Sequence, residues 1–318
     1  MLQTDSSALK VETIHSMAVQ QKQFRQKLQL HADWLDQRPG GVRGNFAGFV
    51  FSDMKLQHAN FRRALLQGAC FVESDLTGAD FAGAILDGAD LRQAVANGAD
   101  FTGVRMDRVR LDAAELTGAT FSEAILQQTS FRKARMSKAQ LIEAKIQNCD
   151  FSESVLNSAN FNQATVSESK FGDAEMENVL FYHAHLNTCN FVSARGNGVN
   201  FSNGRIQICD FSRAELPDSR FYRAILASAK FIRTQLRDCD FREAAAAGTD
   251  FTAATLCGSR FASANLYAAD FRNANLRSAR ELTSEQLCQA RTSEQTVLPN
   301  GKSGPFQKKS GAEKAAPR

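Results

Sequence analysis

The feature that most constrains this chain is a period. Phe stands at Phe51, Phe61, Phe71 and Phe81 and then, in steps of ten, on to Phe271; only Leu91, Leu111 and Leu141 replace it. Midway between these positions runs a second column, from Leu56 to Leu276. It holds Leu, Ile, Val or Met except at Ala96, Gly196 and Ala246. A large apolar residue, the centre, therefore recurs at every fifth position, and internal repeats have to be read before any local signal. Two residues before each centre stands Ala, Ser, Thr, Cys, Val or Gly, with Met54 the exception between the units centred on Leu56 and Leu276. The residue just before the centre is mostly polar, as at Asp80, Asp90, Asp100, Asn160, Asn190 and Asn200.

A period of five fits neither regular element. A helix would advance the centre by about 140° per unit and scatter it around the axis, and a strand would flip it to the opposite face each time. The chain must instead turn in every unit, with the centre and the small residue before it pointing inward. Constant turning makes a coil, and coils stack at strand spacing of ~4.8 Å. Four units per coil would place two Phe on opposite sides and two Leu-class residues between them. Every layer then has the same volume to fill. A layer gains ~1.5–3 kcal/mol per large side chain, against ~1–2 kcal/mol of backbone entropy per residue. Stability must therefore come from stacking.

The units Ala79-Asp80-Phe81-Ala82-Gly83, Ala89-Asp90-Leu91, Ala99-Asp100-Phe101, Ala159-Asn160-Phe161, Ala264-Asn265-Leu266 and Ala274-Asn275-Leu276 resemble the motif of the pentapeptide repeat family. The resemblance covers about three quarters of the chain. It implies an all-β solenoid: a right-handed quadrilateral β-helix of four units per coil. Some 47 units would make about twelve coils, a rod of roughly 55 Å.

The register is unbroken from Phe46 to about Arg280, so residues 44–280 are expected to form the β-helix. Residues 1–43 read as a helical N-terminal cap. Ser6 and Ser7 can start a helix near Ala8, and Val11, Ile14, Met17, Phe24, Leu28, Trp34 and Leu35 recur at helical spacing. Pro39-Gly40-Gly41 ends the pattern. Trp34 is expected to pack onto the first coil. Residues 281–300 read as a short helical C-terminal cap, with Thr283 and Gln286 at capping-box spacing. Residues 301–318 are rich in Gly, Ser, Lys, Ala and Pro and read as a disordered tail. Ala96, Gly196 and Ala246 put small residues at centres, where a coil must leave space or pinch inward.

Composition excludes several classes. Formal charge is +4 with pI near 8.7, too balanced to demand nucleic acid, and no direct nucleic-acid binding is expected. No apolar run is long enough to cross a membrane, and the N-terminus lacks the blocks of a signal peptide. A cytoplasmic location is expected. Of seven Cys, Cys149, Cys189, Cys209 and Cys239 share the small-residue position and read as buried core rather than a disulfide framework. Cys189 and Cys209 would be stacked neighbours. His183 and His185 have no carboxylate or Cys set around them, so no metal site is assigned. No nucleophile elbow and no phosphate loop is present. The recurring Asp and Asn read as turn chemistry. No cofactor is expected, and the chain is read as a non-enzyme.

Function must then lie on the surface. Twenty-residue spacing puts Leu65, Ile85, Arg105 and Ile125 in one outward column, and Ile142, Tyr182 and Tyr222 in another, with Leu180 nearby. Either could meet a protein partner or a second copy in a homodimer. Arg213 and Arg233 share a further column, with Lys230 beside them, and suit an acidic partner. Residues 44–130 hold 11 acidic and 7 basic residues, whereas residues 181–280 hold 8 and 13. A rod with ends of opposite sign can orient a partner or associate head to tail. The first functional reading is a non-catalytic protein-interaction scaffold. The family resemblance adds two alternatives. One is a DNA mimic that protects DNA gyrase or topoisomerase IV, although the repeats balance at 26 acidic and 26 basic residues. The other is a bacterial secreted effector or secretion-system accessory.

Overall fold

The structure is a computed structural model that describes residues 23–315. The helix start at Ser6 and Ser7, with Val11, Ile14 and Met17, lies outside the described residues. Helix α1 covers residues 23–35. The chain then enters an all-β parallel solenoid in which each residue before a centre pairs with its equivalent twenty positions on. Four such ladders run side by side, beginning with Asn45↔Leu65, Val50↔Cys70, Lys55↔Asp75 and Asn60↔Asp80. Each coil is therefore four-sided.

One side is flatter than the others. It carries strands β1 (Arg105–Asp107), β2 (Ile125–Gln127), β3 (Lys145–Gln147), β4 (Thr165–Ser167), β5 (His185–Asn187) and β6 (Arg205–Gln207), paired in parallel in that order. Strand pairing thus extends for five turns, not through the twelve coils expected. Elsewhere the same register is held by single paired residues, as far as Arg260↔Arg280.

The turns explain the difference. In an ordinary unit the amide of the third residue after the centre donates back to the centre's carbonyl, as Ala64 N does to Phe61 O at 3.0 Å. That bond curls the chain at once and leaves one residue free to pair. Among the described residues the six strand units lack it. Their third residues are Val109, Thr129, Cys149, Ser169, Cys189 and Cys209. On the same side, Ala69, Ala89 and Ala229 keep the bond at 3.0, 2.8 and 3.2 Å. Side-chain type alone does not set this: Thr249, on the same side, keeps the bond at 3.2 Å. Thr129 Oγ1 donates to Met106 O at 3.2 Å, and Cys149 N donates to Ser169 Oγ at 3.1 Å. The chain then stays extended for one residue longer.

The centres fill the interior as four ladders. Phe131 through Phe271 stack at ring-centroid spacings of 4.6–5.2 Å. Phe161 through Phe261 stack opposite at 4.8–5.3 Å. The two stacks touch edge to face, as Phe171 and Phe181 do at 6.1 Å and 86°. Both geometries suit the ring quadrupole, each pair contributing roughly 0.5–1.5 kcal/mol beyond burial.

Asp and Asn before the centres serve the turns. Asp80, Asp100, Asn160 and Asp210 each accept, through Oδ1, the amide two residues on, at 2.8–3.0 Å. The second residue after most centres is left-handed, including non-glycine residues such as Arg213 (φ 61°) and Arg233 (φ 58°).

Of the small centres, Ala96 and Ala246 are buried. Gly196 pinches the coil: a Cβ there would lie 2.4 Å from the Met176 carbonyl oxygen. The resulting dent, about 460 Å³, is lined by Glu175, Glu177, Arg195 and Pro217 among others.

At the N-terminal end, Phe24 of α1 packs on Phe46, Phe51 and Phe61 with centroids 5.2–6.4 Å away. Trp34, expected on the first coil, instead stacks on His31 at 5.8 Å and is half-buried. The slimmer Phe24 ring takes the place between the first centres. At the other end, helix α2 (Ser284–Gln289) is capped by Thr283 with Gln286. Gln286 Nε2 donates to the carbonyls of Phe261 and Ala264 at 2.9 and 2.8 Å. Residues 301–315, expected as a disordered tail, are placed against the end of the repeat body. Val297 pairs antiparallel with Ser303, Phe306 packs on the core cluster, and Ala312 is buried. These two apolar residues give a Gly- and Lys-rich stretch something to bury.

Candidate interaction surface

The outward residues of the strand-paired side form one register: Asn45, Leu65, Ile85, Arg105, Ile125, Lys145, Thr165, His185, Arg205, Ile225, Ala245 and Asn265. Leu65 and Ile85 are adjacent and half-buried. Arg105 separates them from Ile125, which is 47% exposed. The guanidinium of Arg105 turns away to Asp87. Within the expected column the contiguous apolar residues are therefore Leu65 and Ile85.

The same side carries a second apolar group that the column read from Leu65 to Ile125 stops short of. Ile208 is 61% exposed, Ile225 37% and Tyr267 65%. Exposed Ala245 and Ala247 lie between Ile225 and Tyr267. The signal was present: Ile225 lies in the same twenty-residue register as Ile125. Ile208 is also strained. It is β-branched and sits at φ 56°, and among the described residues the only other β-branched residue at positive φ is its neighbour in the register, Thr188. Such a conformation is costly for a β-branched side chain, and the repeat imposes it at this position of each unit.

The other expected sites are less coherent. Ile142, Tyr182 and Tyr222 are separated in their column by Asn162 and Ser202. Tyr182 is 40% exposed and meets His183 edge to face. Tyr222 is committed within the chain. Its hydroxyl donates to Glu243 Oε1 at 3.0 Å, and the guanidiniums of Arg223 and Arg242 lie over its ring. The bond to Glu243 raises the Tyr222 pKa, and those from Arg223 and Tyr222 lower that of Glu243. Arg213 and Arg233 stand side by side and exposed, and neither is ion-paired among the described residues. Lys230 lies in register between Asp210 and Asp250.

Much of the remaining charge is internally matched. Arg92, Arg242 and Arg272 bond Asp90, Asp240 and Asp270 two residues before them, at 2.6–2.7 Å. Burial works to raise each carboxyl, but the hydrogen bonds and charge of its arginine outweigh it and hold the pKa low. All seven cysteines are free thiols. Burial pushes Cys149 up to about 12, and the bond to Cys189 together with burial raises Cys209. Among the described residues no three His, Cys, Asp or Glu side chains gather as a metal site, and no helix is long and apolar enough to cross a membrane.

Four parallel ladders around a core of stacked centres define a class, the β-solenoid of five-residue units. The family model described as a pentapeptide repeat region matches residues 104–181 and 168–238. The one described as pentapeptide repeats (8 copies) matches residues 45–81, 74–112 and 247–280. The chain belongs to the pentapeptide repeat family. Members are generally non-catalytic structural or interaction proteins, and no enzymatic family is indicated.

Comparison with curated protein sequences returns no match. Among solved structures, the chain is similar to HetL of the cyanobacterium Nostoc sp., a pentapeptide repeat protein involved in heterocyst differentiation regulation. The identity is 20%, over 74% of this chain and 91% of that one, with a TM-score of 0.28. It is also similar to a pentapeptide repeat protein of the Arabidopsis thaliana thylakoid lumen, at 36% identity over 32% of this chain and 68% of that one, TM-score 0.26. A third is QnrB1, a plasmid-mediated fluoroquinolone resistance protein, at 14% identity over 79% and 88%, TM-score 0.26.

Proposed function

We propose that this protein is a non-catalytic interaction scaffold that works in the cytoplasm through its strand-paired side. Helix α1 and the segment around α2 serve as caps that shield the ends of the repeat body, residues 44–280, from edge pairing. The observation that carries this reading is the exposed apolar group Ile208, Ile225 and Tyr267. Interior centres account for the fold without it, and a solvated rod does not require it.

The gyrase-protecting reading is less favoured. A duplex mimic calls for a strongly acidic surface, whereas the repeats hold equal numbers of acidic and basic residues. Asp90, Asp240 and Asp270 are, moreover, neutralised by adjacent arginines. The secretion-system reading has no structural feature in its favour.

Affinity capture with the whole chain, run beside an Ile225→Ser/Tyr267→Ser variant of unchanged circular dichroism, tests the scaffold. Species bound by the native chain and lost with the variant are expected. Equal binding by both would remove the assignment. A gyrase supercoiling assay is expected to show no effect on relaxation, supercoiling or quinolone-poisoned cleavage.

A further inference from the structure

We infer that the strand-paired side pairs with the same side of a second copy, the two rods lying antiparallel. This rests on the scaffold reading and names the partner. Three observations carry it.

The first is the distribution of apolar residues. They sit mostly toward both ends of the side, Leu65 and Ile85 at one end and Ile225, Ala245 and Tyr267 at the other, while Arg105, Lys145, Thr165, His185 and Arg205 hold the middle, with Ile125 the one apolar residue among them. A two-fold axis across the middle, between the Lys145 and Thr165 steps, lays each end on the other. Ile85 then meets Ile225 of the second copy, and Leu65 meets Ala245. Tyr267, one outward position over, meets Ala47. Shifting the register by one coil in either direction sets Ile85 against Arg205 or Leu65 against Asn265. Full overlap is the arrangement that matches apolar to apolar at both ends, and it is isologous, as a closed dimer requires.

The second is charge. Residues 44–130 carry 11 acidic and 7 basic residues, and residues 181–280 carry 8 and 13. Parallel rods would place like ends together; antiparallel rods place opposite ends together. On the side itself, Arg205 has no ion pair among the described residues. In the antiparallel register it arrives at the step that holds Arg105 and Asp107, where Arg105 is already paired with Asp87 and Asp107 with Arg108, so the charge complementarity lies in the ends of the rods as wholes.

The third is size. Asn45 and Asn265 are joined by a continuous twenty-residue register. At strand spacing that run is roughly 50 Å long, and a five-residue side is roughly 15 Å wide. The product, on the order of 800 Å² per copy, is the size class of stable complexes. Ile208 and Thr188 at positive φ lie along the edge of this area, where a neighbouring chain can hold strained side chains in place.

Two measurements test the pairing. Light scattering of the native chain should give about twice the 34.9 kDa chain mass, and an Ile225→Glu variant should return it to the single-chain value. For orientation, Cys70, Cys257 and Cys288, the thiols that are not buried, are replaced by Ser. One preparation then carries Ile85→Cys and a second carries Ile225→Cys, and the two are mixed under mild oxidation. Crosslinks between unlike preparations are expected, several-fold over crosslinks between like ones. Like-with-like crosslinks would overturn the antiparallel arrangement. A single-chain mass at all concentrations would overturn self-pairing altogether, yet leave the scaffold reading to stand or fall by its own capture test.

Discussion

The interior and the strand-paired side share one twenty-residue register but obey different rules. Inside, each step repeats the same residue class, because every coil must fill the same volume and stack on the ring or branch below it. Outside, nothing in the fold demands repetition, and the register carries Leu65 and Ile85, then mostly charge and hydroxyl around Ile125, then Ile225, with Tyr267 one outward position over. Where the outside departs from solvated residues without help to the fold, the departure marks use. The contrast separates residues that build the rod from residues that employ it.

The sharpest way to break the contrast is to damage the inside. Phe201 is fully buried and stacked between Phe181 and Phe221 at 5.1 and 5.0 Å. Phe201→Ala is expected to cost ~3–5 kcal/mol, seen as a large fall in the denaturant midpoint. A shift below about 1 kcal/mol would mean that the coils relax independently. Next comes Gly196. From the period alone, Gly196→Leu restores a missing centre and should stabilise. The pinched coil predicts the reverse, a loss of ~1–3 kcal/mol, since the new side chain meets the Met176 backbone. Thermal denaturation decides between the two.

A smaller effect is expected at the N-terminal end. His31 is buried and accepts the Gly44 amide on Nδ1 at 3.0 Å. Burial first, and then the charge of Arg43, holds its pKa below the ordinary value of 6.5. A depressed folded pKa contributes stability that is present above 6.5 and lost as pH falls through the folded value. Protection factors for amide exchange in α1 should therefore fall below pH 6.5, and a His31→Gln variant should flatten that fall. The smallest effect belongs to the outer side. Ile208→Asn relieves a β-branched residue at φ 56° and should stabilise the single chain by less than about 1 kcal/mol, while it weakens association.

Much of the fold was legible because stacking forces repetition into the sequence. The Phe columns announce four units per coil, and the two opposed stacks follow from their alternation. The confinement of strands to Arg105–Gln207 was less legible. It accompanies the loss of one turn bond, but Val109, Thr129, Cys149, Ser169, Cys189 and Cys209 pass for ordinary small residues, and Thr249 at the equivalent position keeps the bond. The left-handed residue after each centre was hidden for a related reason. Gly83 and Gly103 advertise it, but Lys133, Arg213 and Arg233 do not. The surface was half legible. Leu65, Ile85 and Ile125 fall in the right register, but Arg105 interrupts them, and Tyr267 belongs to the neighbouring outward position. Tyr222 looked available and is held by Glu243, Arg223 and Arg242, a set that only folding brings together.

The most direct measurement compares two surface variants of equal polarity. Ile225→Glu changes the strand-paired side, and Thr117→Glu changes an exposed residue on another side, each adding one carboxylate. Association is followed by light scattering, with circular dichroism to confirm the fold. Loss of association in the first variant alone is the predicted result. Equal behaviour of the two variants would contradict the placement of function on this side.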